Sequence, residues 1–262
     1  AECAEIEAVL ASGDAALART LHDEADRQAG PDGRNCLALI NARLLQAEGQ
    51  DQAALDFMVA ARPKGKDDEQ AARILLLEGD LLRRLGRSED ALYRFAAREV
   101  ELINDTAWAW DNLAPPPTTT LDIGTGLDYG YVRGFDKREA WQTAESFRWA
   151  GAESAIRFPA AGSGQPQTLR LRANGYTNDW RPTVVTPRVA GRDLPAITLR
   201  DGWQTVEVAL PPSPAGADVT VEFRSSVFVI GPQDLAQRVR DRTSQPLRLV
   251  GFQLDRAEIG GR

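Results

Sequence analysis

The chain has 262 residues, 43% of them apolar and 26% charged, with a formal net charge of −7. That balance fits one large or two ordinary folded domains and excludes a disordered chain. The negative charge argues against a nucleic-acid partner, which needs a basic footprint. No apolar run reaches the roughly 18 residues of a membrane span.

The chain begins at Ala1 without methionine and without a charged-then-apolar leader. Removal of a targeting segment or anchor, and simple trimming, would both leave this start. His22 is the single histidine, too few for most histidine-based catalysis or a multi-histidine metal site. It is expected as a surface residue on a charged helix.

Six helical segments are predicted before Asn104, paired as hairpins. Glu2 to Ala11 is broken by Ser12-Gly13-Asp14, and the next segment runs to Ala29, where Gly30-Pro31-Asp32-Gly33 stops it. Asn35 to Glu48 and Gln50 to Ala61 flank Gly49, and Pro63-Lys64-Gly65 follows. Asp68 to Leu85 and Ser88 to Ile103 flank Gly86-Arg87. Glu89 and Asp90 suit the positive end of the last helix.

The hairpins repeat. Ala42-x-x-Leu45-x-x-x-Gly49-x4-Ala54-Leu55-x-Phe57 returns 37 residues later as Gly79-x-x-Leu82-x-x-x-Gly86-x4-Ala91-Leu92-x-x-Phe95. An earlier echo is Gly13 followed by Ala15-Ala16-Leu17. This pattern resembles tetratricopeptide repeats, in which small residues let paired helices approach closely. The period here is longer than that family's roughly 34 residues, and its Trp and Tyr positions are absent. In such a solenoid Cys3 and Cys36 sit near the starts of parallel first helices, at equal height. A disulfide, implying an oxidising compartment, is one reading; two buried free thiols are the other. Trp108 and Trp110 are placed to cover the last hairpin. The first helix has no such cover, which makes Ile6, Val9 and Leu10 a docking face for a partner protein or another copy. Copies joined end to end without ring closure would give a filament.

Asp105 to Thr120 ends in Ala-Pro-Pro-Pro-Thr-Thr-Thr, a semi-rigid spacer. From Leu121 the period drops to two, at Leu169-x-Leu171-x-Ala173, Val206-x-Val208-x-Leu210, Val219-x-Val221-x-Phe223, Leu247-x-Leu249 and Phe252-x-Leu254. Turn signals lie between them at Gly162-Ser163-Gly164, Asn174-Gly175, Asp201-Gly202 and Pro211-Pro212-Ser213-Pro214. Eight or nine short strands without crossover helices predict an antiparallel sandwich of jelly-roll type. Asp234 to Asp241 is expected as a helical turn or a long loop.

An ordered set of short motifs runs through 121–259. It comprises Asp122-Ile-Gly124, Tyr131-Val-Arg-Gly134-Phe135, Phe147-Arg148-Trp149-Ala-Gly151, Leu169-Arg-Leu-Arg172, Trp203 through Pro211, Ser225-Ser-Val-Phe228-Val-Ile-Gly231 and Leu249-Val-Gly251-Phe-Gln-Leu254-Asp255. The set resembles the β-sandwich modules attached to bacterial membrane glycosyltransferases of the dolichyl-phosphate-mannose type. Leu249-Val-Gly251 departs from the Leu-Gly of that family. The resemblance implies a jelly roll related in shape to carbohydrate-binding modules. It carries over no catalysis, because the transferase chemistry lies in a membrane domain that this sequence does not contain, and fold alone does not establish sugar binding.

No catalytic constellation is found. Gly124-x-Gly126-x-x-x-Gly130 has its third glycine one position late for a dinucleotide fingerprint. Asp122 and Asp128 have the chemistry of calcium ligands, although loop capping is the simpler role. Glu139 and Glu145 as a glycosidase pair lack a visible cleft. Arg133, Arg148, Trp149 and Asp128 are candidates for a polar-plus-aromatic sugar platform. The competing role for Arg148 is pairing with Glu139 or Asp128 to hold the opening loop. Trp180, in a polar turn-rich stretch, is the candidate stacking or docking residue.

The sequence therefore predicts an α + β two-domain chain. Helical hairpin repeats occupy 1–104, a spacer 105–120, and an antiparallel jelly-roll sandwich 121–262. The expected function is a non-enzymatic extracytoplasmic interaction or assembly protein without cofactor or metal. The alternative is a glycan-binding module of a cell-surface glycosylation system.

Overall fold

The computed structural model describes residues 2–30, 34–61, 68–140, 146–175, 181–230 and 248–261. They form two compact units, Ala1–Pro116 and Pro117–Arg262. The first is helical and the second an antiparallel β-sandwich of jelly-roll type, an α + β two-domain architecture.

Eight helices occur among the described residues: α1 (Glu2–Ala11), α2 (Ala15–Gln28), α3 (Arg34–Ala47), α4 (Asp51–Ala61), α5 (Asp68–Arg84), α6 (Ser88–Phe95), α7 (Arg98–Ile103) and α8 (Thr106–Asn112). The repeated glycines close the hairpins. Gly49 and Gly86 take φ of 74° and 76°, the left-handed region open to a residue without Cβ. At each, the amide of the following residue bonds back five positions, Gln50 to the Leu45 carbonyl and Arg87 to that of Leu82. Both helices thus end in a Schellman motif, and this is what recurs every 37 residues. Gly79 serves a different need. A Cβ there would lie 2.5 Å from the Phe95 ring, so its absence lets α5 and α6 close together.

Two features depart from the sequence pattern. The predicted helix Ser88 to Ile103 is two helices, broken where Ala97 turns to φ −63° and ψ 145°. The break lets Phe95 on α6 and Val100 on α7 both bury their side chains. Residues expected to begin the spacer form α8 instead, with the Asp105 carboxylate accepting from the Trp108 amide at 3.0 Å. The Arg73 guanidinium of α5 lies 5.6 Å from the Trp108 ring.

His22 is buried, not on the surface. It lies on the Ala18, His22, Ala25 stripe of α2, and its Nε2 is 3.2 Å from the Leu37 carbonyl. Ile6, Val9 and Leu10 also face inward. Ile6 is buried with Ala18, Leu37, Ile40 and Leu44, and Val9 and Leu10 pack against that cluster. The first helix turns these side chains to α2 and α3, so the expected docking face is spent on the hairpin's own core. Cys3 and Cys36 form a disulfide across a separation of 33 residues.

Asp80, fully buried, ties the end of the helical unit together. Its carboxylate accepts from Gln46 Nε2 at 2.7 Å, from Arg83 Nε at 2.8 Å and from the Ala114 amide at 2.9 Å. Arg84 Nη1 donates to the Ala114 carbonyl at 2.8 Å. Both backbone groups of Ala114 are therefore held before the prolines begin.

The sandwich contains β1 (Thr120–Asp122), β2 (Val132–Ala140), β3 (Ser146–Phe158), β4 (Gln167–Asn174), β5 (Thr183–Val189), β6 (Arg192–Asp193), β7 (Ile197–Leu199), β8 (Trp203–Leu210), β9 (Val219–Ser225), β10 (Phe228–Ile230), β11 (Arg248–Val250) and β12 (Gln253–Gly261). Hydrogen bonding orders them β6-β5-β9-β3-β12-β4-β8, with β1 on β12, β2 on β3 and β7 on β5; β10 and β11 pair separately. The predicted alternations become β4, β8 and β9, whose inward residues Leu169, Leu171, Val208, Leu210, Val221 and Phe223 share one core.

The 13-residue strand β3 joins the two halves of this sheet. Its start pairs with β12 through Arg148–Leu254 and Trp149–Gln253, and its end pairs with β9 from Glu153–Arg224 to Phe158–Val219. Between them the register against β2 jumps from Arg133–Ala155 to Phe135–Ala150. Gly134, at φ 72°, spans the jump, and a Cβ there would sit 2.3 Å from the Glu153 carbonyl oxygen. Only glycine lets β2 pass so close to the bend.

Candidate functional site

The residues proposed from sequence do not assemble as one platform. Arg148 is fully buried. Its Nε donates to Asp128 Oδ2 at 2.6 Å, its Nη2 to Asp128 Oδ1 at 3.0 Å and its Nη1 to the Asp136 carbonyl at 2.9 Å. The Tyr129 ring lies 4.7 Å from the guanidinium carbon. Burial by itself opposes the charge on Arg148, but the Asp128 carboxylate outweighs it and holds the pKa above the ordinary arginine value. Burial likewise raises the Tyr129 phenol, against the pull of Arg148. Asp128 Oδ2 also accepts from the Gly124 amide at 2.8 Å. This is the loop-holding role, and it removes Arg148 and Asp128 from any ligand surface.

Trp149 is buried too, because Phe147-Arg148-Trp149 alternates across the sheet. Arg148 turns toward Asp128, while Phe147 and Trp149 turn to a second cluster with Val250, flanked by Trp203, Phe228 and Ile230. Trp149 meets the Phe228 ring edge-on at 5.8 Å. Trp180, Glu145 and the segment Asp234 to Asp241 lie outside the described residues. Glu139 is paired with Arg248 at 2.7 Å. Asp122 keeps an exposed carboxylate, but its proposed partner Asp128 is committed to Arg148. Among the described residues no group of three or more metal-ligating side chains occurs.

Of the sugar-platform candidates among the described residues, Arg133 borders a cleft. The cavity, of about 280 Å³, is walled by Arg133 on β2, Glu153 on β3, Arg188 on β5, and Glu222 and Arg224 on β9. Buried Ser154 and Phe223 also line it. Sheet register explains its shape. Arg133 pairs with Ala155, Ala155 with Glu222, and Glu222 with Arg188. Paired residues point to the same face, so one row across four strands reads Arg, Ala, Glu, Arg. The row sets the backbones of Arg133 and Glu222 about 10 Å apart, at two strand spacings.

The Glu153 and Glu222 carboxylates at this cleft face arginines without closing on them. Glu153 is directly opposite Arg224, and Glu222 directly opposite Arg188. Among the described residues, neither carboxylate forms a hydrogen bond or ion pair. Arg188 Nε and Arg224 Nη1 each stand 3.6 Å from Asp193, beyond hydrogen-bond range. On the other half of the sheet the equivalent cross-strand pair Arg170–Glu207 is closed at 2.8 Å. The cleft therefore presents guanidinium donors and carboxylate acceptors side by side, open to a bound molecule. Glu153, Glu222, Arg188 and Arg224 carry no local sequence signal, and only strand register collects them.

No helix among the described residues is long and apolar enough to cross a membrane. No protein-family model matches the chain, and no curated protein does. Among solved structures, the chain is similar to the C-terminal CBM6 of LamC, a marine laminarinase from Zobellia galactanivorans. The two are 13% identical, the match covers 53% of this chain and 98% of that one, and the TM-score is 0.33. It is also similar to Xyl-CBM35, solved with a glucuronic acid-containing disaccharide, at 16% identity, with 55% and 95% covered and a TM-score of 0.32. A third is an exo-β-1,3-galactanase from Phanerochaete chrysosporium, at 14% identity and a TM-score of 0.32, where the match covers 56% of this chain and 30% of the enzyme.

Proposed function

We propose that this chain is a non-enzymatic extracytoplasmic binding protein whose β-sandwich holds a glycan in the cleft between β2, β3, β9 and β5. What supports this reading is a cleft lined by Arg133, Arg188, Arg224, Glu153 and Glu222, in which neither carboxylate closes on an arginine. Each sugar hydroxyl both donates and accepts, so it is matched by a guanidinium on one side and a carboxylate on the other. Small-molecule sites run from roughly 300 to 1,000 Å³, and the 280 Å³ of this cleft suits a single sugar ring of a longer chain. The Cys3–Cys36 disulfide favours an oxidising compartment. The helical unit is then the carrier of the module.

The test is a glycan array probed with the full chain and with Glu222→Gln. Binding by the wild type that the variant loses supports the proposal. Wild-type binding to no glycan refutes it.

A further inference from the structure

The two ends of the sheet are finished differently. At one end β5 contains Pro187, and beyond it lie only the two-residue β6, made of Arg192 and Asp193, and the three-residue β7. Short strands, charge and proline keep a sheet edge from pairing with another chain. The other end is β8, and it has no such protection. Its eight residues, WQTVEVAL, include no proline, glycine or lysine. Its register with β4 runs unbroken from Gln167–Leu210 to Asn174–Trp203. Among the described residues β4 is its one strand partner. About half of its backbone N–H and C=O groups therefore point away from the sheet, in a row that can pair with a further strand.

We infer that β8 pairs antiparallel with β8 of a second copy, joining two sandwiches into one sheet across a twofold axis at Val206. The inference is independent of the glycan proposal. An isologous contact requires that a strand match itself when reversed. Directly opposite residues point to the same face. With the axis at Val206, that residue meets the partner's Val206, and Gln204 meets the partner's Val208. Val206 is partly buried against the sandwich core and Val208 lies within it, so the two cores gain a common apolar seam. On the other face Thr205 meets the partner's Glu207, and Trp203 meets the partner's Ala209. Glu207 is already held by Arg170 at 2.8 Å, and Arg172 stands beside Thr205 in the register. Each Glu207 carboxylate thus gains the partner's Arg172 one strand beyond the seam. An axis at Glu207 would set the two carboxylates directly against each other, a destabilising pair. An axis at Thr205 would pair only Trp203 through Glu207. The strands β5, β9 and β3 of the cleft stand on the far side of β12 and β4 from β8, so pairing at β8 leaves the cleft uncovered.

Sedimentation equilibrium of the full chain, over a concentration series reaching about 1 mM, reads the association. Wild type should pass from the mass of one chain to that of two and no further, because a twofold contact closes. Val206→Lys sets an ammonium against its symmetry mate and should raise the dissociation constant about tenfold or more. Val184→Lys, at an exposed position of β5, should leave it unchanged. Val206→Cys gives a reading that does not depend on the lysine variant folding. Directly opposite Cβ atoms lie about 4.5–5.5 Å apart, close to disulfide reach, so mild oxidation should yield a covalent dimer. Thr205→Cys, which meets its mate only diagonally across the axis, should cross-link about tenfold more slowly or less. Wild type that stays monomeric throughout overturns the inference. So does a dimer that a folded Val206→Lys chain still forms, equal cross-linking at the two cysteine positions, or a mass that climbs past two chains.

Discussion

Replacing Asp128 by asparagine isolates the strongest polar commitment in the sandwich. The carboxylate satisfies two guanidinium nitrogens, at 2.6 and 3.0 Å, and the Gly124 amide at 2.8 Å. Asparagine keeps the volume and one acceptor oxygen but leaves the fully buried Arg148 guanidinium without its counter-charge. Removing one partner of a buried pair costs about 3–5 kcal/mol, against a total stability of roughly 5–15 kcal/mol. With a urea slope of about 2 kcal/mol per molar, a loss near 4 kcal/mol lowers the midpoint by about 2 M. Urea unfolding followed by the far-ultraviolet signal of the β-sheet measures this. The double variant Asp128→Leu/Arg148→Met removes both charges and leaves mainly the Gly124 amide unpaired, a cost of about 1–3 kcal/mol. It should therefore be more stable than Asp128→Asn. A single-variant loss below about 1 kcal/mol, or a double variant less stable than the single, refutes the account of this pair.

Reduction of Cys3–Cys36, or Cys36→Ser, frees a loop of 33 residues. The chain-entropy model gives a loss of about 4 kcal/mol, read as a lower melting temperature for the helical signal with dithiothreitol. Gly79→Ala gains about 1 kcal/mol of helix propensity but drives a methyl to 2.5 Å from Phe95. Overpacking of this kind costs about 1–3 kcal/mol, so denaturation should show a net loss, partly restored by adding Phe95→Leu. Although its surface is exposed, partial desolvation by the surrounding loop, then the nearby Asp255, push the Asp122 carboxyl above the ordinary carboxylate range, with Arg256 pulling the other way. The folded chain thus holds that proton more tightly than the unfolded one. Ionisation costs stability above the raised folded value, and the cost fades as pH falls through it. Asp122→Asn should stabilise the chain near pH 7 and change little near pH 3, by thermal melts at both.

The helical hairpins were legible because their signal is local. A glycine at a left-handed turn with a Schellman bond announces itself within six residues, as at Gly49 and Gly86. The break at Ala96-Ala97 was not legible, since alanine is the best helix former and the cause is the joint burial of Phe95 and Val100. His22 was misplaced for a related reason. Its neighbours along the chain are charged, but its neighbours on the helix face are Ala18 and Ala25. In the sandwich, β4, β8 and β9 follow clean alternation, whereas β5 hides behind Pro187, a residue that normally argues against a paired strand.

The site was less legible than the fold. Phe147-Arg148-Trp149 alternates, which signals that one face is core without saying which. Both faces are buried in the structure, and the arginine can be so only because Asp128 arrives from a loop twenty positions earlier. The cleft is a product of register. Arg133, Ala155, Glu222 and Arg188 are scattered over four strands, and the row exists only once the sheet has formed. Of its residues only Arg133 was a sequence candidate, and it was grouped with partners that lie elsewhere.

The most direct test of the central claim is an amide chemical-shift titration of the full chain with an oligosaccharide that it binds on the array. The account predicts saturable shifts at Arg133, at Glu153 through Ala155, at Arg188 and at Glu222 through Arg224. Shifts confined to the helical unit, or to the β4–β8 side of the sandwich, would contradict it.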